Sequence, residues 1–423
     1  MTRAESGERA SNSSCVEILL LHYTAPPVVG GVESVLGAHV RLLRRAGHEA
    51  HIVAGRGRST REVPVTVLPL LYGRHPEVQA AHRALRGGDL RPFKVLRDRI
   101  AEELTPFFRE RIVLVHNVFT LDRNLPLTAA LHRLLDHQRN VRVVAWTHDL
   151  SWTNPLDRPR LRPEEPWTLL CTPRPEVTYV AISEAVQTKL VELFGLRRAD
   201  VPVVPTGTSL DPFHPVQRTT RRILDLVGWD AHFPVLLVPV RITRRKNLEL
   251  AVRIGAALRA RGTDPLVVVT GPPGAHTAAN REYLAELQRL REALGLRDGC
   301  VFLAERGIRC TARVLGDLYL MADGVLLTST WEGFGMPVAE AGLLRVPVFC
   351  PRIPATEEVA GAHAHFFNPE DPPKRIADRI LAALAEGAPA LRRRVLERFT
   401  WPRILHREIL PLLARLAYAD VRR

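Results

Sequence analysis

A chain of 423 residues is long for one hydrophobic core and comfortable for two. With 46% apolar and 6% aromatic residues it reads as a globular α/β protein, and no apolar run is long enough to span a bilayer. The net charge of +14 is carried by arginine far more than by lysine, which occurs only at Lys94, Lys189, Lys246 and Lys374; no aromatic–basic platform or helix-turn-helix signature goes with it, which excludes nucleic acid as the expected partner.

Residues 1–14 are polar and lack an apolar h-region, so a disordered leader is expected and no signal peptide. The first buried strand spans residues 16–23. Pro26, Pro27 and the turn Val28-Val29-Gly30-Gly31 lead from it into an amphipathic helix over residues 33–45. Strand, glycine loop and helix in that order look like a mononucleotide-binding unit, yet there is no G-x-G-x-x-G. Further strands are expected at 49–54, 63–70, 112–117, 141–147, 177–182 and 201–204. Helical stretches at 93–108, 127–137 and 184–194 separate most of them. Such alternation argues for a parallel sheet covered on both faces, with ligands bound beyond the carboxyl ends of its strands. Gly30-Gly31 and Thr147-His148-Asp149 fall at such ends. On the residues alone, His148 is as readily structural as catalytic. The loop 150–176 is long enough to suggest function or mobility. Its Trp152, Trp167, Arg158, Arg160 and Arg162 could stack on a sugar and pair with an anion, and a solvated proline-rich lid accounts for them equally well.

A boundary is expected near residues 209–225. The second half opens with a strand at 235–240, the run Arg241-Ile242-Thr243-Arg244-Arg245-Lys246-Asn247 and a helix at 248–261. Arg241 and Lys246, five apart across a strand-to-helix turn, put two cations on the lip of the sheet where a diphosphate would be held. Arg244 and Arg245 read as surface charges. A strand at 266–269 ends in Thr270-Gly271-Pro272-Pro273-Gly274, which is no P-loop because no G-K-[ST] follows. A helix at 282–294, a strand at 301–303, a loop at 304–309 and a helix at 313–321 come next. Then a strand at 325–327 meets the loop Trp331-Glu332-Gly333-Phe334-Gly335, a helix at 336–344 with Pro337 in its first turn, and a strand at 346–350. Gly333 and Gly335 let the backbone approach a ligand, and the helix opens as an anion site. Glu332 and Glu340, with seven residues between them, can address two hydroxyl-bearing parts of one ligand. Residues 357–359 and 377–384 continue the alternation, and final helices run from 391 through Trp401 and Pro402 to 418. Nine arginines between 391 and 423, against Glu397, Glu408 and Asp420, could favour anionic surfaces. The five scattered cysteines, without any C-x-x-C, fit reduced buried thiols better than disulfides or zinc.

The filled pattern Glu332-Gly333-Phe334-Gly335-Met336-Pro337-Val338-Ala339-Glu340 resembles the E-x7-E motif of retaining glycosyltransferases of family 4. Arg241 and Lys246 have the spacing of that family's G-R-x-x-x-x-K, with Val240 in place of the glycine. Residues 203–215 are similar to its V-x-P-N-G-V-D-x-x-x-F-x-P, with Thr206 in place of the Asn, and Gly30-Gly31-Val32-Glu33 looks like its first glycine loop. The resemblance implies an α/β fold of GT-B type, two Rossmann-like doubly wound domains facing each other across a cleft. Residues 15–212 would form the acceptor domain, with a C-terminal helix at 400–423 packing back on it, and residues 225–395 the nucleotide-sugar domain.

What the resemblance implies for the site follows residue by residue. Arg241 and Lys246 would neutralise the departing diphosphate, Glu332 would hold sugar hydroxyls, and His148 would touch the donor sugar. Gly30, Gly31, Gly333, Phe334 and Gly335 would approach the donor, Glu340 would hold the ribose, and backbone near Arg306 the nucleobase. Trp152, Arg158, Arg160 and Arg162 are the acceptor-side candidates. The expected reaction moves a hexose from a nucleoside-diphosphate sugar, such as a UDP- or GDP-hexose, to an acidic or lipid-linked acceptor with retention. It would need no metal, since no D-x-D is present, and no cofactor. A cytoplasmic site, with peripheral contact to an anionic membrane, is expected. The rival readings are a nucleotide-sugar epimerase of the same architecture and a non-catalytic sugar-nucleotide-binding protein. A phosphorylase-like enzyme would need a pyridoxal phosphate lysine, for which four lysines leave little room.

Overall fold

Ile18 to Leu21 are four buried apolar residues in a row, a composition that suits a strand covered on both faces. The computed structural model describes residues 15–109, 111–138, 141–209, 214–273 and 279–418. The expected leader, Asp211, Pro212 and Phe213 of the linker, Gly274 and residues 419–423 lie outside these. Two units are formed, Met1–Thr208 with Arg398–Arg423, and Ser209–Glu397.

In the first unit, strands β1 (Glu17–His22), β2 (Glu49–Ala54), β3 (Val65–Val67), β4 (Ile112–His116), β5 (Arg142–Thr147) and β6 (Val177–Ala181) form one sheet in the order β3-β2-β1-β4-β5-β6, every pair parallel. Alternate residues divide between two cores, as the period of two requires. Leu19, Leu21, Val113, Val115 and Val143 join one, and Ile18, Leu20, Ile112, Leu114 and Val144 the other. Helix α1 (Gly31–Arg45) covers the second face with Leu36, Val40 and Leu43. Helices α2 (Pro76–Arg86), α3 (Arg91–Leu104), α4 (Leu125–His137) and α5 (Glu184–Phe194) supply the first. The last of these starts at the expected cap: Ser183 Oγ accepts the Val186 N–H at 3.2 Å.

The second sheet contains β7 (Val235–Val238), β8 (Leu266–Val269), β9 (Cys300–Phe302), β10 (Gly324–Leu326), β11 (Val348–Pro351) and β12 (His365–Phe367), in the order β12-β11-β10-β7-β8-β9 and again parallel throughout. Its core joins α6 (Arg218–Val227), α7 (Leu248–Arg259), α8 (Ala279–Ala293), α9 (Ala312–Met321), α10 (Met336–Leu343), α11 (Pro354–Ala360) and α12 (Pro373–Leu384) in one cluster. Helix α13 (Gly387–Arg398) is fastened to it by Arg392, which binds Asp323 at 2.5 Å. The chain then returns to the first unit. Helices α14 (Trp401–Ile404) and α15 (Leu410–Tyr418), joined by a π-turn at Leu405–Ile409, cover the face that α1 covers with Ile404, Leu405, Ile409, Leu412 and Leu413. No helix of the described residues is long and apolar enough to cross a membrane.

Several expectations are corrected. Residues 201–204 form no strand but a single bridge, Ala181 to Val203, because Pro202 and Pro205 remove ladder donors on either side. Prolines 64 and 69 likewise shorten the strand expected at 63–70 to β3. Helix α2 was not anticipated, although Pro76 in its first turn and buried Val78, Ala81 and Leu85 at helical spacing are visible in the sequence. The 150–176 segment is no open lid. Three short 3-10 turns order it, and Trp167 is buried with Leu85, Phe93, Leu125 and Ala129. The basic end of the chain is divided between the units, with Arg393 lying 3.9 Å from the Phe233 ring centre in the second. The five cysteines are free, as read, but Cys15 is exposed.

Candidate functional site

Each sheet has one point where the strand order reverses, between β1 and β4 in the first unit and between β7 and β10 in the second. Connections leave such a point in opposite directions, so a crevice opens beyond the strand ends. A pocket lies at both.

The pocket of the second unit has a volume of about 470 Å³ and is lined by Arg241, Arg245, Lys246, Glu332, Phe334 and Glu340 among others. The loops after β7 and β10 are tied together at its floor: Thr328 Oγ1 donates to the Lys246 carbonyl at 2.8 Å and the Thr330 N–H to the Arg245 carbonyl at 2.9 Å. This brings Lys246 onto Glu332, with both side chains less than a tenth exposed. Glu332 also accepts from Ser329 Oγ at 2.6 Å and from Arg245 at 3.4 Å. Burial alone would raise the Glu332 carboxyl, but the Lys246 and Ser329 hydrogen bonds outweigh it and hold it below the usual carboxylate range. Burial pulls the Lys246 ammonium down, against the Glu332 contact. The geometry of the pair is fixed from both sides. Glu340, on α10, accepts from the buried Tyr319 hydroxyl at 2.6 Å. Gly335 adopts φ +90°, a left-handed conformation that turns the loop into α10. Gly333 has no such need, since a Cβ there would meet only Trp331, at 4.0 Å.

The first unit's pocket, about 570 Å³, is lined by residues that follow β1, β4 and β5, including His22, Asn117, Asp122 and Asp149, and by Gly31 at the start of α1. Behind it lies a row of histidines. His22 Nδ1 donates to the His116 carbonyl at 2.9 Å, and His116 Nδ1 is hydrogen-bonded to His148 Nε2 at 3.1 Å. His39 of α1 packs edge-on against Trp146 and Trp401. Burial pushes His39 and His148 down to about 3, so both rings are neutral near pH 7. Asn117, itself left-handed at φ 63°, accepts the His148 N–H at 2.7 Å and the Asp149 N–H at 3.2 Å, which aims the loop after β5.

Residues 29–212 match the family described as Glycosyltransferase Family 4, and residues 225–398 the family described as Glycosyl transferases group 1. The chain belongs to the family 4-like glycosyltransferases. Its two Rossmann-like units are the GT-B architecture. Mannosylglucosylglycerate synthase of Thermotoga maritima is 25% identical to this glycosyltransferase over 371 residues, 79% of this chain and 80% of that one. A D-inositol 3-phosphate glycosyltransferase of Kineococcus radiotolerans is 35% identical over 174 residues, 40% of this chain but only 38% of that one. Among solved structures, HepE of Anabaena in complex with UDP and glucose aligns over 94% of this chain and 100% of that one, with 18% identity and a TM-score of 0.35.

Of the residues singled out in the glycosyltransferase sequence, Arg241, Lys246, Glu332, Phe334, Gly335 and Glu340 share the second unit's pocket. Arg306 does not line it; it is exposed at the end of a 3-10 turn. Gly31 lines the larger pocket of the first unit, while His148 lines a smaller one of 170 Å³ with Asp149 and Lys189. Gly30 is extended at φ −177°, and a Cβ there would collide with the Glu33 carboxylate. The acceptor-side set does not converge. Trp152 donates its indole N–H to the Trp167 carbonyl at 3.2 Å and packs on that buried ring; Arg162 binds the Arg86 carbonyl at 2.8 Å and lies over Trp167. Arg160 reaches the pocket but is engaged by Asp157, and Arg158 is exposed. Arg245, read as a surface charge, is exposed but also reaches Glu332 at 3.4 Å and lies over the Trp331 ring. Arg244 is the surface residue, on Glu286 at 2.7 Å. Tyr319 and the other three histidines went unread, because their roles depend on partners 21 to 94 residues away in sequence.

Proposed function

We propose that this glycosyltransferase transfers a hexose from a nucleoside-diphosphate sugar to an acceptor hydroxyl, with retention at the anomeric carbon and without a divalent metal. The observation that carries the reading is the buried Lys246–Glu332 pair at the β7/β10 switch point, with Arg241 lining the same pocket. Among the described residues Arg241 makes no ion pair, which leaves its guanidinium for a diphosphate. Arg241 and Lys246 stabilise the charge that develops on the leaving diphosphate. Glu332 holds sugar hydroxyls and fixes Lys246, and Glu340, oriented by Tyr319, holds the ribose. The first unit takes the acceptor. As the bond from the anomeric carbon to diphosphate oxygen breaks, the acceptor oxygen bonds that carbon from the same face. Its proton passes to the leaving diphosphate. Unpaired cysteines suit a reducing cytoplasm.

The test is product analysis by proton NMR after incubation with UDP- and GDP-hexoses in EDTA. Retained configuration and full activity are expected. An inverted product, or activity that returns only with Mg²⁺ or Mn²⁺, contradicts the reading.

A further inference from the structure

The first unit's pocket has a charge pattern that the donor site does not explain. Four arginines line it, Arg74, Arg86, Arg123 and Arg160. Arg160 is engaged by Asp157, but among the described residues Arg74, Arg86 and Arg123 have no carboxylate within ion-pairing distance. The loops that carry Arg74 and Arg123 are held against each other. Gly73 lies so close to Arg123 that a Cβ on it would meet the Arg123 carbonyl oxygen at 2.5 Å. Gln79 donates to the Gly73 carbonyl at 2.6 Å, and Asn124 to the Leu70 carbonyl at 2.9 Å. Fixed backbone thus carries two arginines, unpaired among the described residues, into the lining of one pocket. The same pocket is lined by two carboxylates, Asp122 and the exposed Asp149. Asp122 accepts from Ser151 at 3.1 Å and lies 3.9 Å from Arg160, with lone pairs left over, and Asp149 makes no side-chain hydrogen bond among the described residues. Arginines and carboxylates lining one pocket suit a ligand with an anionic end and free hydroxyls.

We propose that the acceptor is an anionic polyol, its phosphate or carboxylate held by Arg74 and Arg123 and its hydroxyls by Asp122 and Asp149. The proposal rests on the reading that the first unit takes the acceptor, and names the acceptor's chemical class. It moves the anion site away from Arg158 and Arg162, neither of which lines this pocket; Arg162 is taken up by the Arg86 carbonyl and the Trp167 ring. Neutral sugars leave three unpaired arginines unanswered; a phosphate or carboxylate pairs with two of them by charge-assisted hydrogen bonds.

The experiment is calorimetric titration of the full chain with glycerol 3-phosphate and with glycerol, under saturating UDP or GDP to occupy the donor site. Glycerol 3-phosphate is expected to bind and glycerol not. Arg74→Ala/Arg123→Ala is expected to weaken glycerol 3-phosphate by about tenfold or more, while UDP or GDP affinity stays unchanged. Both side chains are exposed, so unchanged thermal unfolding of the variant is also expected. Cosedimentation with phosphatidylglycerol vesicles separates the sources: binding that the double variant loses identifies a lipid headgroup, and binding of the soluble acid alone identifies a free one. Glycerol binding as well as glycerol 3-phosphate, a double variant that binds like the parent, or no binding of either anion overturns the proposal. Failure of UDP and GDP to bind, with anion binding intact, sinks the donor reading alone.

Discussion

Glu332 and Lys246 are buried together, so the change made to one decides what happens to the other. Glu332→Gln keeps the shape and an oxygen for Ser329 but removes the charge. Turnover is expected to fall by about 100-fold or more while nucleoside diphosphate affinity changes little, measured by product assay and calorimetry on one preparation. Near-normal turnover would remove Glu332 from the reaction. Glu332→Ala strands a buried ammonium, and about 3 kcal/mol of stability is expected to go with it, read from urea unfolding. The histidine row makes a second prediction. The folded-state values of His39 and His148, about 3, lie below the ordinary value of 6.5. The unfolded chain therefore binds protons that the native one refuses, and the stability these rings contribute is full above about pH 6.5 and lost as pH falls toward 3. Between about pH 7.5 and pH 5.5 each ring costs roughly 1.4 kcal/mol. Replacing His39, whose buried Nδ1 has no hydrogen-bond partner among the described residues, by Phe is expected to flatten that dependence. An unchanged pH slope in His39→Phe would show that the ring titrates normally. Single residues were legible where a spacing carried them, as with Glu332 and Glu340. Arg245 is exposed as read, but its contact with Glu332 went unseen because nothing local says that an arginine beside Lys246 will reach across to a loop 87 residues on.

At the scale of the element, strands were read well because buried parallel strands are continuous apolar runs, and they failed where proline intervened, at residues 63–70 and 201–204. The segment 150–176 reads equally as a functional loop and as a solvated lid because its 3-10 turns have no periodicity; what orders it is the burial of Trp167 among residues of α2, α3 and α4. The two glycines of the Glu332 loop separate conformation from function. Gly335→Ala forces a side chain into φ +90° and is expected to cost about 1–2 kcal/mol of stability. Gly333→Ala meets no resistance from the protein and is expected to leave thermal unfolding unchanged while weakening nucleotide-sugar binding. Equal loss of stability in both variants would contradict this division. The C-terminal segment covers the β1–β4 face with Ile409, Leu412 and Leu413, so Leu412→Ala is expected to cost about 2–5 kcal/mol in unfolding of the first unit.

For the whole molecule, two parallel sheets each place a polar pocket at their own switch point, one built on a buried ion pair and the other lined by arginines, three of them without an ion pair among the described residues. Alternation of strands and helices made the two-sheet plan legible in the sequence, whereas the pockets required knowing which strands are neighbours. If the second unit holds the donor, a nucleoside diphosphate at about 100 times its dissociation constant adds roughly 2.7 kcal/mol to that unit. The most direct test of the donor assignment is calorimetric titration of UDP and GDP, in EDTA, into the parent chain and Arg241→Ala. One of the nucleotides is expected to bind the parent, and the variant to bind it about tenfold or more weakly. No binding by either nucleotide, or equal affinity in the two proteins, would contradict it.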